Sequence, residues 1–473
     1  MKRIFLSIGV CIAILSAAQA QQVTVSDGIT LREEIAYDIL GEWSGQLLLL
    51  RDQAVAWKVT GFNQKMEQVW EKDIDLDRRR PQIIDVINEK RGFAVAYTYR
   101  QELNLFFKIH RYDPAANLTD SVTLFNLGQE LFPITFYSVL SENRSKMLVY
   151  KVNDFKTIHA FAIDLDSLSL IWEVQLAPDG LDYFNEFQQM VVDNEGNMFC
   201  ILNKDGRNAG KNRFEVFVYG PSSGLVVQRL DILMGDKLCF DVQFAFDNLN
   251  HQLIAGGLYS EDNLARAAGP FYLRLPLGDQ ENGVLEFHKL DDKFVSTFMG
   301  KNFNTKNRGI TETTAREIVL RKDGGILLIG ERERIYERNL PGGRFDMAGG
   351  RFIVDYYLDD LFITSFNPDG SLHWQEILHK KQYSQDDDAV YSSYFLLKTA
   401  TNLRLFFNDE IKHENTVSEY VVSPIGQTER FSVMNTDRQR LKLRFRDAVQ
   451  VSSSELIVPS ERRNTLKLVR IRY

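Results

Sequence analysis

The sequence predicts an all-β fold, a single β-propeller of antiparallel four-stranded blades, and three observations carry the prediction. Short apolar or alternating runs, separated by turn-type residues, recur from one end of the chain to the other. They group into a unit of four strands that repeats at about fifty-residue spacing, the signature of a repeat architecture. Helical periodicity is almost absent, and the few stretches that fit a short helix lie between units. Stacked units share one architecture, so the 473 residues need not divide into several domains.

The elements follow in order. Lys2 and Arg3 precede an apolar run from Ile4 to Ala17 and the A-x-A pattern Ala18-Gln19-Ala20, the make-up of a secretory signal peptide over residues 1–20. The mature chain then starts at Gln21, as one propeller domain over 21–473. Val10 stands before Cys11, where a lipoprotein needs a small residue, so lipidation is not expected. QQVTVS is a short alternating strand. The first unit is TLREEIAYDIL, GQLLLLRD, AVAWKVTGFN and MEQVWEKDI: an alternating strand, an apolar strand, a mixed strand and an outer strand carrying Trp70.

The same order returns in PQIIDVINEKRGFAVAYTY with LNLFFKIHRYDP and SVTLFNL. It returns again in FYSVLSENRSKMLVYKV with IHAFAIDLDS and LSLIWEVQL, where Trp172 takes the place of Trp70. Units four and five begin at FQQMVVDNEGNMFCILN and CFDVQFAFDNLNHQLIAGGLY. Unit six contains GGILLIGE and DDLFITSFNPDGSLHWQEIL, with Trp374 in the outer strand, and unit seven starts at SSYFLLKTATNLRLFFND. The last unit, AVQVSSSELIVPS and TLKLVRIRY, is one strand short, and QQVTVS can supply the missing one. Eight blades closed by pairing of the two ends follow, because a closed ring leaves no exposed edge. Seven blades are the alternative if units five and six share strands. A Trp repeated at one outer-strand position is expected to pack between neighbouring blades.

On NPDGSLHWQEILHKKQYSQDDDAVYSSY and the LRLFFND that follows it, the chain resembles secreted multi-bladed propeller proteins of the Bacteroidota. It is also loosely similar to quinoprotein-type repeats, in which a turn Gly precedes an outer-strand Trp, as in DGSLHW. The resemblance implies architecture; propellers host many unrelated activities. Quinoprotein dehydrogenases clamp their cofactor with a vicinal disulfide, and no Cys-Cys pair exists here.

Charge and cysteine usage narrow the partners. Cleavage would remove two positive charges from a chain whose formal net charge is already −8, which argues against nucleic acid. No later segment approaches the about 18 apolar residues of a spanning helix. Cys200 and Cys239 lie in apolar runs, NMFCIL and LCFDVQF, and are expected as buried free thiols, with a disulfide as the alternative.

Catalytic and metal motifs are missing from the sequence. The seven histidines form neither HxH nor HExxH, and no GxSxG elbow exists. GGRFDMAGG lacks the Gly-Lys-Ser/Thr ending of a phosphate loop. Asp386, Asp387 and Asp388 are the one calcium candidate, because carboxylates on a loop suit a hard cation, with plain solvation as the alternative. No cofactor is expected.

The insertion at 332–357, RERIYERNLPGGRFDMAGGRFIVDYY, falls between the second and third strands of unit six. It supplies the candidate binding residues Arg334, Tyr336, Arg338, Arg344, Phe345, Tyr356 and Tyr357, since Arg and aromatic side chains dominate binding hot spots. Long connections at 204–213, 260–269, 292–314 and 379–392 should join it on one face of the ring. The alternative is a β-hairpin extension that only covers the core.

The reading that follows is an exported, non-enzymatic propeller acting as a protein-binding scaffold at the cell envelope. The partner would be an envelope or secreted protein, with a peptide or glycan as other occupants. The periplasm is favoured over the surface because the final strand is used in closure. The alternative is a carbohydrate-active hydrolase or lyase, or a glycan-binding propeller with a central pocket. Such chemistry would draw on carboxylates such as Asp359 or Asp360 with Asp386 or Asp387.

Overall fold

Each repeat unit folds as a separate antiparallel sheet, and eight such sheets follow one another around a ring. The computed structural model describes residues 21–473 except 33, 54–55, 78–80, 130–133, 301–308, 341–350, 410–415 and 438. Blades 1 to 7 span 36–74, 82–129, 137–176, 187–233, 238–287, 313–378 and 395–435. Blade 8 is built from Val449–Ser452, Glu455–Arg462 and Thr465–Arg472, with Gln22–Val25 as its outer strand. Val23 pairs with Ile471 and Thr24 with Arg470. Ser26 extends the seam, its backbone amide donating to Leu468 O at 2.9 Å and its hydroxyl accepting from Leu468 N at 2.9 Å. Blades 5 and 6 are separate sheets, so the count is eight and not seven.

Apolar residues recur on both faces of the middle strands because each blade is covered on both sides. In GQLLLLRD, Leu48 and Leu50 pack toward blade 2 while Leu47 and Leu49 pack toward blade 8. The core is therefore divided into eight clusters, one at each blade-to-blade interface. Every leucine of that run is at most 1 % exposed, each contributing about 1.5–3 kcal/mol by burial. First strands carry β-bulges in blades 1, 2, 4, 5, 6 and 8. A bulge bends and twists a strand, which suits the crowded inner edge of the ring.

The repeated tryptophans mark the interfaces as expected. Trp172 Nε1 donates to Gly196 O of blade 4 at 2.8 Å, and Trp374 Nε1 to Pro424 O of blade 7 at 3.0 Å. Trp70 keeps its hydrogen bond inside blade 1, to Gln46 Oε1 at 2.9 Å, while packing against the cluster shared with blade 2. Gly426 has φ +82° and the Trp374 ring sits 2.6 Å from where a Cβ would stand, so only glycine fits there.

Two strands start later than their sequence suggests. TLREEIAYDIL reads as the first strand of blade 1, yet that strand is Ala36–Trp43, and Ile29–Thr30 pairs instead with Leu466 and Thr465 of blade 8. LVVQRLDI reads as strand from Leu225, yet the strand is Gln228–Leu233. Gly224 and Leu225 both have positive φ, +63° and +58°, which prolongs the turn after Pro221–Ser223. Short helices Tyr183–Glu186 and Asp292–Met299 lie between blades. The second buries Val295, Phe298 and Met299 in the blade 5–6 cluster. Among the described residues no helix is long and apolar enough to cross a membrane.

Candidate functional site on the connection face

In a four-stranded blade the loops between strands two and three lie on the same side as the connections to the next blade. Contacts between the two kinds of loop confirm this: Ala267 bridges Ile310, Asn212 Nδ2 donates to Lys237 O at 3.2 Å, and Phe155 packs on Phe184 at 4.6 Å. The long connections expected from sequence therefore share one face.

Blade 6 projects farthest into it. Ile326–Leu340 and Arg351–Phe366 continue past the blade as an antiparallel hairpin, paired from Glu333 with Leu358 to Leu340 with Arg351. Gln382–Gln385, part of the connection to blade 7, adds a third strand along Asp355–Leu358. A bulge between Glu331 and Glu333 marks where blade becomes extension.

That junction holds a buried charged cluster. The Glu331 and Lys380 side chains are both 0 % exposed and meet at 2.6 Å. Lys380 Nζ also donates to Leu358 O at 2.8 Å and Gln382 Oε1 at 2.9 Å. Arg316 Nε donates to Glu331 Oε2 at 2.8 Å, and Ser393 Oγ to the same oxygen at 2.7 Å. Burial alone would raise the Glu331 carboxyl, but Lys380 and Arg316 overcome it and hold the group below the usual range. Nearby, burial pushes the Glu317 carboxyl up and the Tyr394 hydroxyl well up.

Side-chain ladders stiffen the extension. By register, Arg334, Tyr336, Arg338, Asp355 and Tyr357 share one face, while Ile335, Glu337, Phe352 and Tyr356 share the other. Arg334 pairs with Asp359 and lies 5.0 Å over the Tyr357 ring. Arg338 pairs with Asp355, which also accepts from Tyr383 Oη at 2.7 Å. Tyr336 Oη donates to Glu312 Oε1 at 3.3 Å.

Most of the sequence-predicted binding residues thus have partners within the chain. Arg334, Arg338 and Tyr357 build the hairpin, and Tyr356 Oη donates to Asp388 Oδ1 at 3.1 Å on the opposite face. Arg344 and Phe345 lie outside the described residues. The large apolar groups left open are Ile335, 53 % exposed, and Phe352, 66 % exposed, while Tyr336 is 46 % exposed beside its bond to Glu312. Ile335 was not singled out from sequence. Reading ERERIYER as a period-two strand would have separated it from the arginines. Phe155 and Phe184, 58 % and 73 % exposed on the same face, carried no sequence signal because they meet only across a blade boundary.

The acidic run Asp386–Asp388 latches the hairpin. Asp386 Oδ1 accepts from Val354 N at 2.9 Å, and Asp387 Oδ1 from Ala389 N at 3.1 Å. Among the described residues no group of three or more potential ligands is placed to hold a metal ion. Of the carboxylates considered for glycoside chemistry, Asp359 is paired with Arg334 and Asp360 Oδ2 meets His379 Nδ1 at 3.0 Å. Cys200 and Cys239 are buried free thiols in different interface clusters, and burial pushes the Cys200 thiol up to about 12.

A polar cavity of about 730 Å³ opens on the same face between blades 8 and 1. Glu34, Tyr37, Asp38, Arg444, Asp447 and Glu461 are among its walls. Arg444 bridges Asp447 and Glu461 at 2.5 Å each, and burial raises the Asp38 carboxyl, helped by Asp85.

No protein-family model matches the chain, and no curated protein does. Among solved structures, it is similar to the Dos1 propeller at 8% identity, over 94% of this chain and 95% of that one, with a TM-score of 0.45. Dipeptidyl peptidase 4 of Porphyromonas gingivalis is similar at 11% identity and TM-score 0.47, over 91% of this chain and 56% of that one. TolB from Acinetobacter baumannii is similar at 13% identity and TM-score 0.28, over 81% and 78%.

Proposed function

We propose that this protein is an exported, non-enzymatic propeller scaffold that binds a protein partner of the cell envelope through its connection face. The observation that carries the reading is the blade 6 extension. It is a three-stranded projection held by its own ion pairs, and it presents Ile335 and Phe352 together on one face with Tyr336 on the other. Exposed apolar side chains on a stiff support lose little conformational freedom on binding, and aromatic anchors are where interface energy concentrates. Phe155 and Phe184 form a separate exposed aromatic pair on the same face, at the boundary of blades 3 and 4. Export rests on the charged start and apolar run of residues 1–20, and the periplasm is the favoured compartment.

The test is a crosslinked pull-down from the native envelope, comparing the intact chain with an Ile335→Ser/Phe352→Ser variant. Both residues are exposed, so the variant should keep its thermal midpoint while losing the recovered protein. Equal recovery by both would overturn the assignment of the hairpin as the site. A glycan reading is favoured by the cavity between blades 8 and 1, whose walls mix carboxylates, an arginine and Tyr37. Glycan screening with Tyr37→Ala separates it: loss of a glycan signal in that variant, with no envelope protein recovered, would replace the scaffold reading.

A further inference from the structure

We propose that a second cleft on the connection face, between blades 7 and 8, binds a doubly charged oxyanion, a phosphate monoester or a free phosphate or sulfate ion. The pocket holds about 240 Å³ and is lined by Arg440, Ser460, Arg462, Arg463, Thr465 and Lys467. Four of the six are cations, and none is a carboxylate. The chain as a whole carries a net charge of −8. Arginines elsewhere, such as Arg51, Arg316, Arg404 and Arg470, meet a carboxylate. Among the described residues Arg440, Arg462 and Arg463 meet none. Like charges gathered without counter-charge repel one another, and an anion of charge two would relieve this more fully than one carboxylate.

The pocket is built by the fold. Ser460 pairs with Lys467 and Arg462 with Thr465, so these four side chains share one face of blade 8. The same face, one turn of the pattern earlier, carries Leu456, Val458, Val469 and Ile471 into the blade 7–8 core. At Ser460 this apolar stripe becomes hydroxyl and cation while still facing the interface. The connection between the blades closes the other side: Leu443 bridges Ser460, and Lys442 N donates to Ser460 Oγ at 2.8 Å. That hydroxyl is on a residue only 2 % exposed, and its own hydrogen is given to no described group. Arg463 and Asn464 form the hairpin turn with φ +49° and +59°. Turn chemistry there would select Asn or Gly at both positions, so the arginine is not explained by the turn. Guanidinium forks and hydroxyls match tetrahedral oxyanions.

Calorimetric titration of the 21–473 chain at low ionic strength tests this, using inorganic phosphate, inorganic sulfate, glucose 6-phosphate and uncharged glucose. At least one charged probe should bind saturably, and glucose should not. Arg462→Gln and Arg463→Gln should each weaken binding about tenfold, the loss of one charge-assisted hydrogen bond. Arg144→Gln makes the same charge change at an exposed turn of blade 3 and should leave affinity unchanged. Tighter binding of glucose 6-phosphate than of either free ion assigns an ester as the ligand; equal or weaker binding assigns the free oxyanion. Absence of saturable binding, or an equal loss in Arg144→Gln, would overturn the proposal, as would binding that both turn variants leave intact. Both substituted side chains are exposed, and circular dichroism checks that each variant is folded.

Discussion

Lys380 and Glu331 show how a costly pair can be retained where two elements must be held in register. Two charges taken fully out of water lose hydration that their attraction only partly returns. Here Lys380 also donates to Leu358 O and Gln382 Oε1, and Glu331 Oε2 accepts from Arg316 and Ser393. Removing one partner strands the other, so Lys380→Met should destabilise the protein by about 3 kcal/mol in urea unfolding, and Glu331→Met/Lys380→Met should recover most of that. The pH dependence has a definite sign. A carboxyl held below its ordinary value contributes stability above the unfolded-state pKa of about 4.3, and this is lost as pH falls through the folded value. Unfolding midpoints of the native chain should therefore drop more steeply than those of Glu331→Gln between neutral pH and the acid side of that window.

The blade 6 extension makes a different demand on its sequence from that of a blade strand. Inside the ring, strands two and three are apolar on both faces because a neighbouring blade covers each. Beyond the bulge at Glu331 the hairpin leaves the four-stranded ladder, and cross-strand ion pairs and the tilted Tyr357–Tyr383 contact take over. Amide exchange should show residues 334–338 and 352–357 protected like blade strands. Asp355→Asn, which weakens the bonds from Arg338 and Tyr383, should raise exchange in that segment about tenfold by removing roughly 1–2 kcal/mol of local stability. Unaltered exchange would mean that the third strand, Gln382–Gln385, supplies the stiffness instead.

Ring closure couples the two ends of the chain, and its energetics belong to no single blade. Gln22–Val25 completes blade 8, and Val23 and Val25 pack against the blade 7–8 cluster. Deleting residues 21–26 should expose Lys467–Arg472 as an edge, with Ile29–Thr30 still paired to Leu466 and Thr465, and cost about 4–6 kcal/mol from lost backbone bonds and apolar burial. A lower thermal midpoint together with concentration-dependent aggregation is the expected outcome, since an unpaired strand is a template for another chain.

The repeat, the blade order and the closing strand were legible in the amino-acid order because each depends on local pattern: alternation, apolar runs and turn residues recur whatever packs against them. The outer-strand tryptophans were legible for the same reason, as one residue type at one place in each unit. The open surface was not. Arg334 and Arg338 look like binding residues until register sets them opposite Tyr357 and Ile353 and beside Asp359 and Asp355. Arg440 joins Arg462 and Arg463 only because the blade 7–8 connection folds back over the last hairpin. Local preference is decided within a few residues along the chain. Which charge is paired and which is left open depends on residues brought together from distant positions, and only the closed ring sets those distances.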